Sequence, residues 1–325
     1  MINFQSSHFI PNAQLLLTEK RRHLTMETPI FQFMVLMGKK VSFDFIMNFT
    51  KINFVLILSK FSEVIKKGTA YMHIWMYVIR EMEDALDDCK EGCDLDGCND
   101  DPVHAWDEGV AFYTGTLEGR DGLGSGKLFY ALADKRCMNF KTCGINGDSI
   151  DGTSRVNIEV FQQFKRGLRS LEEGKCSATR PIKERIEQLM AVPLVQGTLR
   201  YAFFQESKGG GTEKDEAEGA VFAASVLPLV HACSEEDAEI IYDIMKVGSN
   251  ENDFQAVKEA FERNYKCMGI TCEDVGGLYI DEEGVYEDGA APCGGGGSGS
   301  SATSTGLGFM ATLSVGAISA FSMLF

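Results

Sequence analysis

"YMHIWMYVIREMEDALDDC", residues 71–89, sets Trp75, Ile79, Met82 and Leu86 on one side of a helix and His73, Tyr77, Arg80, Glu81, Asp84 and Asp88 on the other. That spacing predicts an amphipathic helix of about five turns. The same period recurs in "VNIEVFQQFKRGLRSLEEG" (156–174), "IKERIEQLMAVPLVQGTLRYAFFQE" (182–206), "AEGAVFAASVLPLVHAC" (217–233) and "DFQAVKEAFERNYKC" (253–267). Pro193 and Pro228 are expected to kink or cut their helices, and glycine-rich joints at 119–126 and 208–211 separate the segments. No alternating run is long enough to demand a sheet, so the fold class is all-α.

A second pattern refines this. Shifting the chain by 110 residues lays "EGVAFYTGTL" (108–117) over "EGAVFAASVL" (218–227), pairing Glu108 with Glu218, Gly109 with Gly219 and Phe112 with Phe222. "KRCMNFKTCG" (135–144) and "YKCMGITCED" (265–274) each hold Cys-Met and then a second cysteine. The expectation is a helical bundle of two pseudo-repeated halves with disulfide-linked loops, Glu108 and Glu218 taking related places near the middle.

Composition bounds the chemistry. The 325-residue chain has a net charge of −16, which disfavours nucleic acid and anionic membrane surfaces and favours cations. Ten cysteines with no C-x-x-C pair fit disulfides in an oxidising compartment, on a secreted or surface-displayed protein. Cys137 with Cys143, and Cys267 with Cys272, could each close a small loop.

Four stretches differ in character. Residues 1–67 hold nine Lys or Arg against four Asp or Glu, a net of +5, so the remainder carries −21. This atypical segment has no cysteine and no clear period, and it fails as a signal peptide because Lys39 and Lys40 split its apolar run. A misread or truncated gene start fits it, with a membrane-associated leader as the alternative. Residues 68–280 are the expected helical domain. Residues 281–305 read as a linker, first acidic and then "CGGGGSGSSATST" from Cys293. Residues 306–325, "GLGFMATLSVGAISAFSMLF", are twenty uncharged residues, read as a lipid-anchor signal or a membrane helix tethering the chain to the extracellular side.

The candidate site comes from acids within apolar stretches. On "HAWDEGVAFYTGTL" (104–117), at about 100° per residue, Glu108 shares a face with His104, Asp107, Ala111 and Phe112. Glu218 shares one with Asp215, Phe222, Ser225 and Leu229. A buried unpaired carboxylate costs several kcal/mol, so such a cluster calls for a cation, a donor or a metal. Helix N-terminal placement explains the same acids without a ligand. A metal-dependent hydrolase built on His104, Asp107 and Glu108 lacks H-E-x-x-H spacing. There is no G-x-S-x-G, and "GLGSGK" (122–127) is too short for a P-loop. A non-catalytic structural protein holding calcium, or no metal, is the remaining alternative.

"WMYVIREMEDALDDC", "HAWDEGVAFYTGTLEG", "YALADKRCMNFKTC", "PLVQGTLRYAF", "AEGAVFAASVLPLVHAC" and "CMGITCEDVGG" together resemble the algal Fe-assimilating proteins, the high-CO2-inducible or low-iron-inducible periplasmic proteins. The more distant phytotransferrins are similar too. The resemblance spans Gly68 to Gly277, about two thirds of the chain. Residues 1–67 lack the cysteine-bearing stretch that such proteins carry after a signal peptide. The resemblance implies a non-enzymatic extracellular or periplasmic protein that captures ferric iron, with carbonate and with a ferrireductase or uptake partner. Fe(III) prefers carboxylate and phenolate oxygen, with imidazole as an occasional partner. Tyr77, Glu81, His104, Asp107, Glu108, Tyr201 and Glu218 supply that set, and Arg80 or Arg200 is the expected carbonate clamp.

Overall fold

A computed structural model describes residues 64–91, 101–115, 126–207 and 211–293. The glycine joints at 119–125 and 208–210, the Gly/Ser linker from 294, the tail 306–325 and all but the last four residues of the N-terminal segment lie outside the described residues. Among the described residues no helix is long and apolar enough to cross a membrane.

The described fold is all-α, as the periodicity predicts. A π-helical turn, Thr69–His73, feeds directly into α1 (Ile74–Glu91). Then come α2 (Pro102–Thr114), α3 (Phe129–Phe140), α4 (Arg155–Glu172), α5 (Cys176–Ser207), α6 (Glu213–His231), α7 (Glu235–Met245), α8 (Phe254–Met268) and the short α9 (Cys272–Val275). The strands β1 (Tyr279–Ile280) and β2 (Val285–Tyr286) form one antiparallel hairpin. Side-chain caps set several starts: Asp101 accepts from the amides of Val103 and His104, and Thr212 closes a capping box with Asp215 at α6.

The 32-residue α5 is the axis of the bundle. It packs against α1, α3, α4, α6 and α8. Residues 189–199 are buried without a break, so this stretch is hydrophobic all round and runs through the core. Its one amide, Gln196, donates to the Val275 carbonyl at 2.8 Å and to Thr142 Oγ1 at 3.2 Å. Pro193 does not cut this helix, nor does Pro228 cut α6. Each proline removes one helical hydrogen bond, and burial against neighbouring helices holds the rest of the turn together.

Two helical pairs echo the internal sequence match. α1 packs closely on α2, and α5 on α6. In each pair the matched glycine sits at the crossing: a Cβ on Gly109 would lie 3.2 Å from Met82 Cγ, and one on Gly219 would lie 2.9 Å from both Tyr201 Cβ and Met245 Cε. Gly197 is tighter, since a Cβ there would stand 2.3 Å from Phe222 Cδ1. Gly197→Ala is therefore expected to force α5 and α6 apart at a cost on the order of 1–3 kcal/mol, measured as a lower denaturation midpoint.

Four disulfides join the described residues: Cys89–Cys176, Cys137–Cys143, Cys233–Cys267 and Cys272–Cys293. The expected 137–143 loop forms. The expected 267–272 loop does not, because α8 delivers Cys267 to the end of α6 while Cys272 opens α9 and reaches forward. That second bridge also corrects the linker boundary. Asp281–Gly284 is the turn of the hairpin, Ala290 is buried, and Cys293 is tied back to α9, so 281–293 belongs to the folded body.

Candidate functional site

The two halves of the predicted ligand set separate. The α2 face carrying His104, Asp107 and Glu108 is exposed, and His104 Nε2 lies 3.4 Å from Glu108 Oε1. The helix buries Ala105, Trp106, Gly109 and Tyr113 instead. Tyr77 is 49% exposed and stacks on Phe112 at 5.4 Å, while Arg80 pairs with Asp84 at 2.9 Å on the solvent side of α1. Glu81 lies half-buried on the same helix. Glu108 therefore does not share a buried site with Glu218, and the proposed common acidic centre is corrected to one half. The physical reason is solvation: each of those α1 and α2 groups reaches water from a helix whose other face fills the core.

Tyr201 and Glu218, by contrast, meet each other. Tyr201 donates from its hydroxyl to Glu218 Oε2, and both side chains are buried. Their helices bring them together because Gly219 lets α6 approach Tyr201 Cβ, and Gly197 admits the ring of Phe222. Phe222 then lies between Tyr201, at 5.7 Å, and Tyr71, at 4.9 Å, all three rings within 23° of parallel in successive pairs. Tyr71 comes from the π-helical turn, a rare conformation found often at functional sites.

Around this pair gather several positive charges. Lys214 Nζ lies 3.6 Å from Glu218 Oε1 and Lys67 Nζ 3.9 Å from Glu218 Oε2. Lys67 also stands over the Tyr71 ring at 5.5 Å. Arg200 stacks on Phe204 at 4.2 Å and reaches the Tyr201 ring at 5.4 Å. From α3 comes Arg136, 3% exposed, whose guanidinium feels Arg200, Tyr201, Tyr71 and Glu218. Among the described residues its Nε and Nη1 have no hydrogen-bond partner. The turn that carries Arg136 is pinned two residues earlier: Asp134 accepts from Ser154 N and Asn157 Nδ2, both at 2.7 Å.

The electrostatics follow from this crowding. Burial, then repulsion from Arg200, lowers the Arg136 guanidinium from its usual value to about 10, still charged at neutral pH. Partial desolvation, then Arg136, Lys67 and Arg200, hold the Lys135 ammonium below its ordinary value. Burial and the Glu218 hydrogen bond push the Tyr201 phenol well up. In the absence of a strong cation the site keeps that phenol protonated.

Lys67, Tyr71, Lys135 and Arg136 are absent from the predicted set. For Arg136 a signal existed: it falls on the stripe Phe129, Leu132, Ala133, Cys137 and Phe140, all buried. A cation on an apolar stripe is as informative as an acid there.

A second charged cluster lies at the other end of α5. A cavity of about 330 Å³ is lined by Glu83, Arg180, Lys183 and Glu187 and by the Cys233–Cys267 bridge. Four of its charges are paired: Lys183 bonds Glu83 at 2.9 Å and Glu187 at 2.7 Å, and Arg180 forks onto Glu83 at 3.1 and 3.0 Å. This is a structural network. No group of three or more His, Cys, Asp or Glu that could hold a metal occurs among the described residues, so a metal at Tyr201 and Glu218 would draw on phenol oxygen. No family model, curated protein or solved structure matches the chain.

Proposed function

We propose that this chain binds ferric iron as cargo for iron assimilation on the extracellular or periplasmic side, through Tyr201 and Glu218, with carbonate assisting. One observation carries the reading: a phenol and a carboxylate, buried and joined to one another, offer hard oxygen donors at one point. The resemblance of residues 68–277 to Fe-assimilating proteins supports it independently. So do four disulfides, which fit an oxidising compartment. Tethering through residues 306–325 and delivery to a ferrireductase or uptake partner complete the proposal.

The surrounding cations make the carbonate a consequence of electrostatics. Lys67, Lys214, Arg136 and Arg200 would repel a trivalent cation. An oxyanion between them and the metal neutralises that repulsion and supplies further oxygen donors. Arg200, one of the two expected clamps, stands in this cluster, whereas Arg80 is engaged with Asp84.

Titrating Fe(III) into the full chain with bicarbonate is expected to produce a visible tyrosinate-to-iron band. Tyr201→Phe should remove the band, and Glu218→Gln should weaken binding by more than the 10–100-fold typical of lost outer-shell partners. Calcium gives no colour, which separates the structural alternative. Unchanged affinity in both variants would overturn the assignment. Because the metal must displace the raised Tyr201 proton, affinity should fall about tenfold per pH unit on acidification for each proton displaced.

A further inference from the structure

We infer that Arg136 is the centre of a small-oxyanion-binding site that fills without any metal. The inference starts from a cost. A guanidinium with 3% exposure, and with two N–H-bearing atoms that find no acceptor among the described residues, carries a desolvation cost that the nearby Glu218 only partly offsets. Removing one partner of a buried ion pair produces the same arrangement and is strongly destabilising. Here the arrangement is native.

The neighbours deepen the imbalance. Lys67 and Lys214 flank the Glu218 carboxylate, which already accepts from Tyr201, and Arg200 stands beside the ring of that tyrosine. Lys135 adjoins Arg136 in sequence and feels Arg200 and Lys67. One turn along α3, on the Arg136 side, Asn139 also holds a buried side-chain oxygen with no partner among the described residues. Rotating that amide by a half-turn would offer N–H donors in place of the oxygen. Two unsatisfied polar side chains on one helix face, within a group of cations, fit a compact oxyanion. Carbonate and inorganic phosphate share the required chemistry, namely negative charge with several acceptor oxygens. Arg136 is suited because its guanidinium presents donors in a planar fan.

The inference shares Glu218 and Tyr201 with the proposed iron site but does not rest on iron. Its test therefore excludes metal. Thermal unfolding of the full chain is followed with chelator present and ionic strength held constant with chloride, while bicarbonate or inorganic phosphate is titrated. The wild type is expected to gain about 5–10 °C at about a hundredfold excess over Kd with at least one of the two anions, saturably. The anion that produces the gain identifies the ligand. Arg136→Gln is expected to raise the midpoint without anion, since it removes an unmatched buried charge, and to abolish the gain. If Arg136→Gln does not fold, Arg136→Lys decides, with a gain reduced at least tenfold in affinity expected. No gain with either anion in the wild type, or an undiminished gain in the folded variant, overturns the inference.

Discussion

Replacing Glu83 with alanine is expected to destabilise the fold by about 3 kcal/mol, the lower end of the range for breaking a buried ion pair. Glu83 is 6% exposed and receives both arms of Arg180 as well as Lys183. Alanine leaves Lys183 buried, but Glu187 still bonds it at 2.7 Å, which limits the loss. Replacing Glu83 and Lys183 together by methionine is expected to cost less than the single alanine change, because no buried charge is stranded. Chemical denaturation at neutral pH measures both. Burial pushes the Glu83 carboxyl up, but the bonds from Arg180 and Lys183 outweigh it and leave the carboxyl below its ordinary 4.5. The contribution is thus fully present above pH 4.5 and is lost as pH falls through the lower folded value. The deficit of Glu83→Ala should shrink over that acid window.

Removing the Cys89–Cys176 bridge by a double substitution to alanine should cost about 4–5 kcal/mol in the loop-entropy description, because the bridge spans 87 residues. The melting temperature should fall by about 10–15 °C. The bridge joins the end of α1 to the start of α5, beside the Glu83 network, so the two losses are expected to be non-additive when combined. Eighteen residues of α5 separate Lys183 from Tyr201, about 27 Å at 1.5 Å per residue. Anion and iron binding should therefore survive both changes wherever the protein remains folded. Loss of binding in a folded variant would show that the two ends of α5 are coupled.

Helix positions were readable because burial follows a 3.6-residue period wherever one face is clearly apolar. The α1 stripe of Trp75, Ile79, Met82 and Leu86 is buried as the spacing predicts. On α2 and α6 small residues and aromatics occur nearly all round, so the period alone does not say which face turns inward. Glu108 and Glu218 begin matching stretches, yet Glu108 faces water while Glu218 is buried. Cysteine pairing likewise depended on where α8 and α9 deliver their ends.

Sequence by itself determined the helical class, the disulfide chemistry and the presence of Tyr201 and Glu218 as oxygen donors. Those follow from local period, composition and side-chain chemistry. Only the tertiary structure decided that these two donors meet each other, away from His104, Asp107 and Glu108, and that Arg136 and Lys67 join them. The consecutive helices α5 and α6 create that meeting through close glycine contacts at Gly197 and Gly219, while Arg136 and Lys67 arrive from elements far away in the chain, and such contacts arise from packing between helices rather than from the pattern within any one.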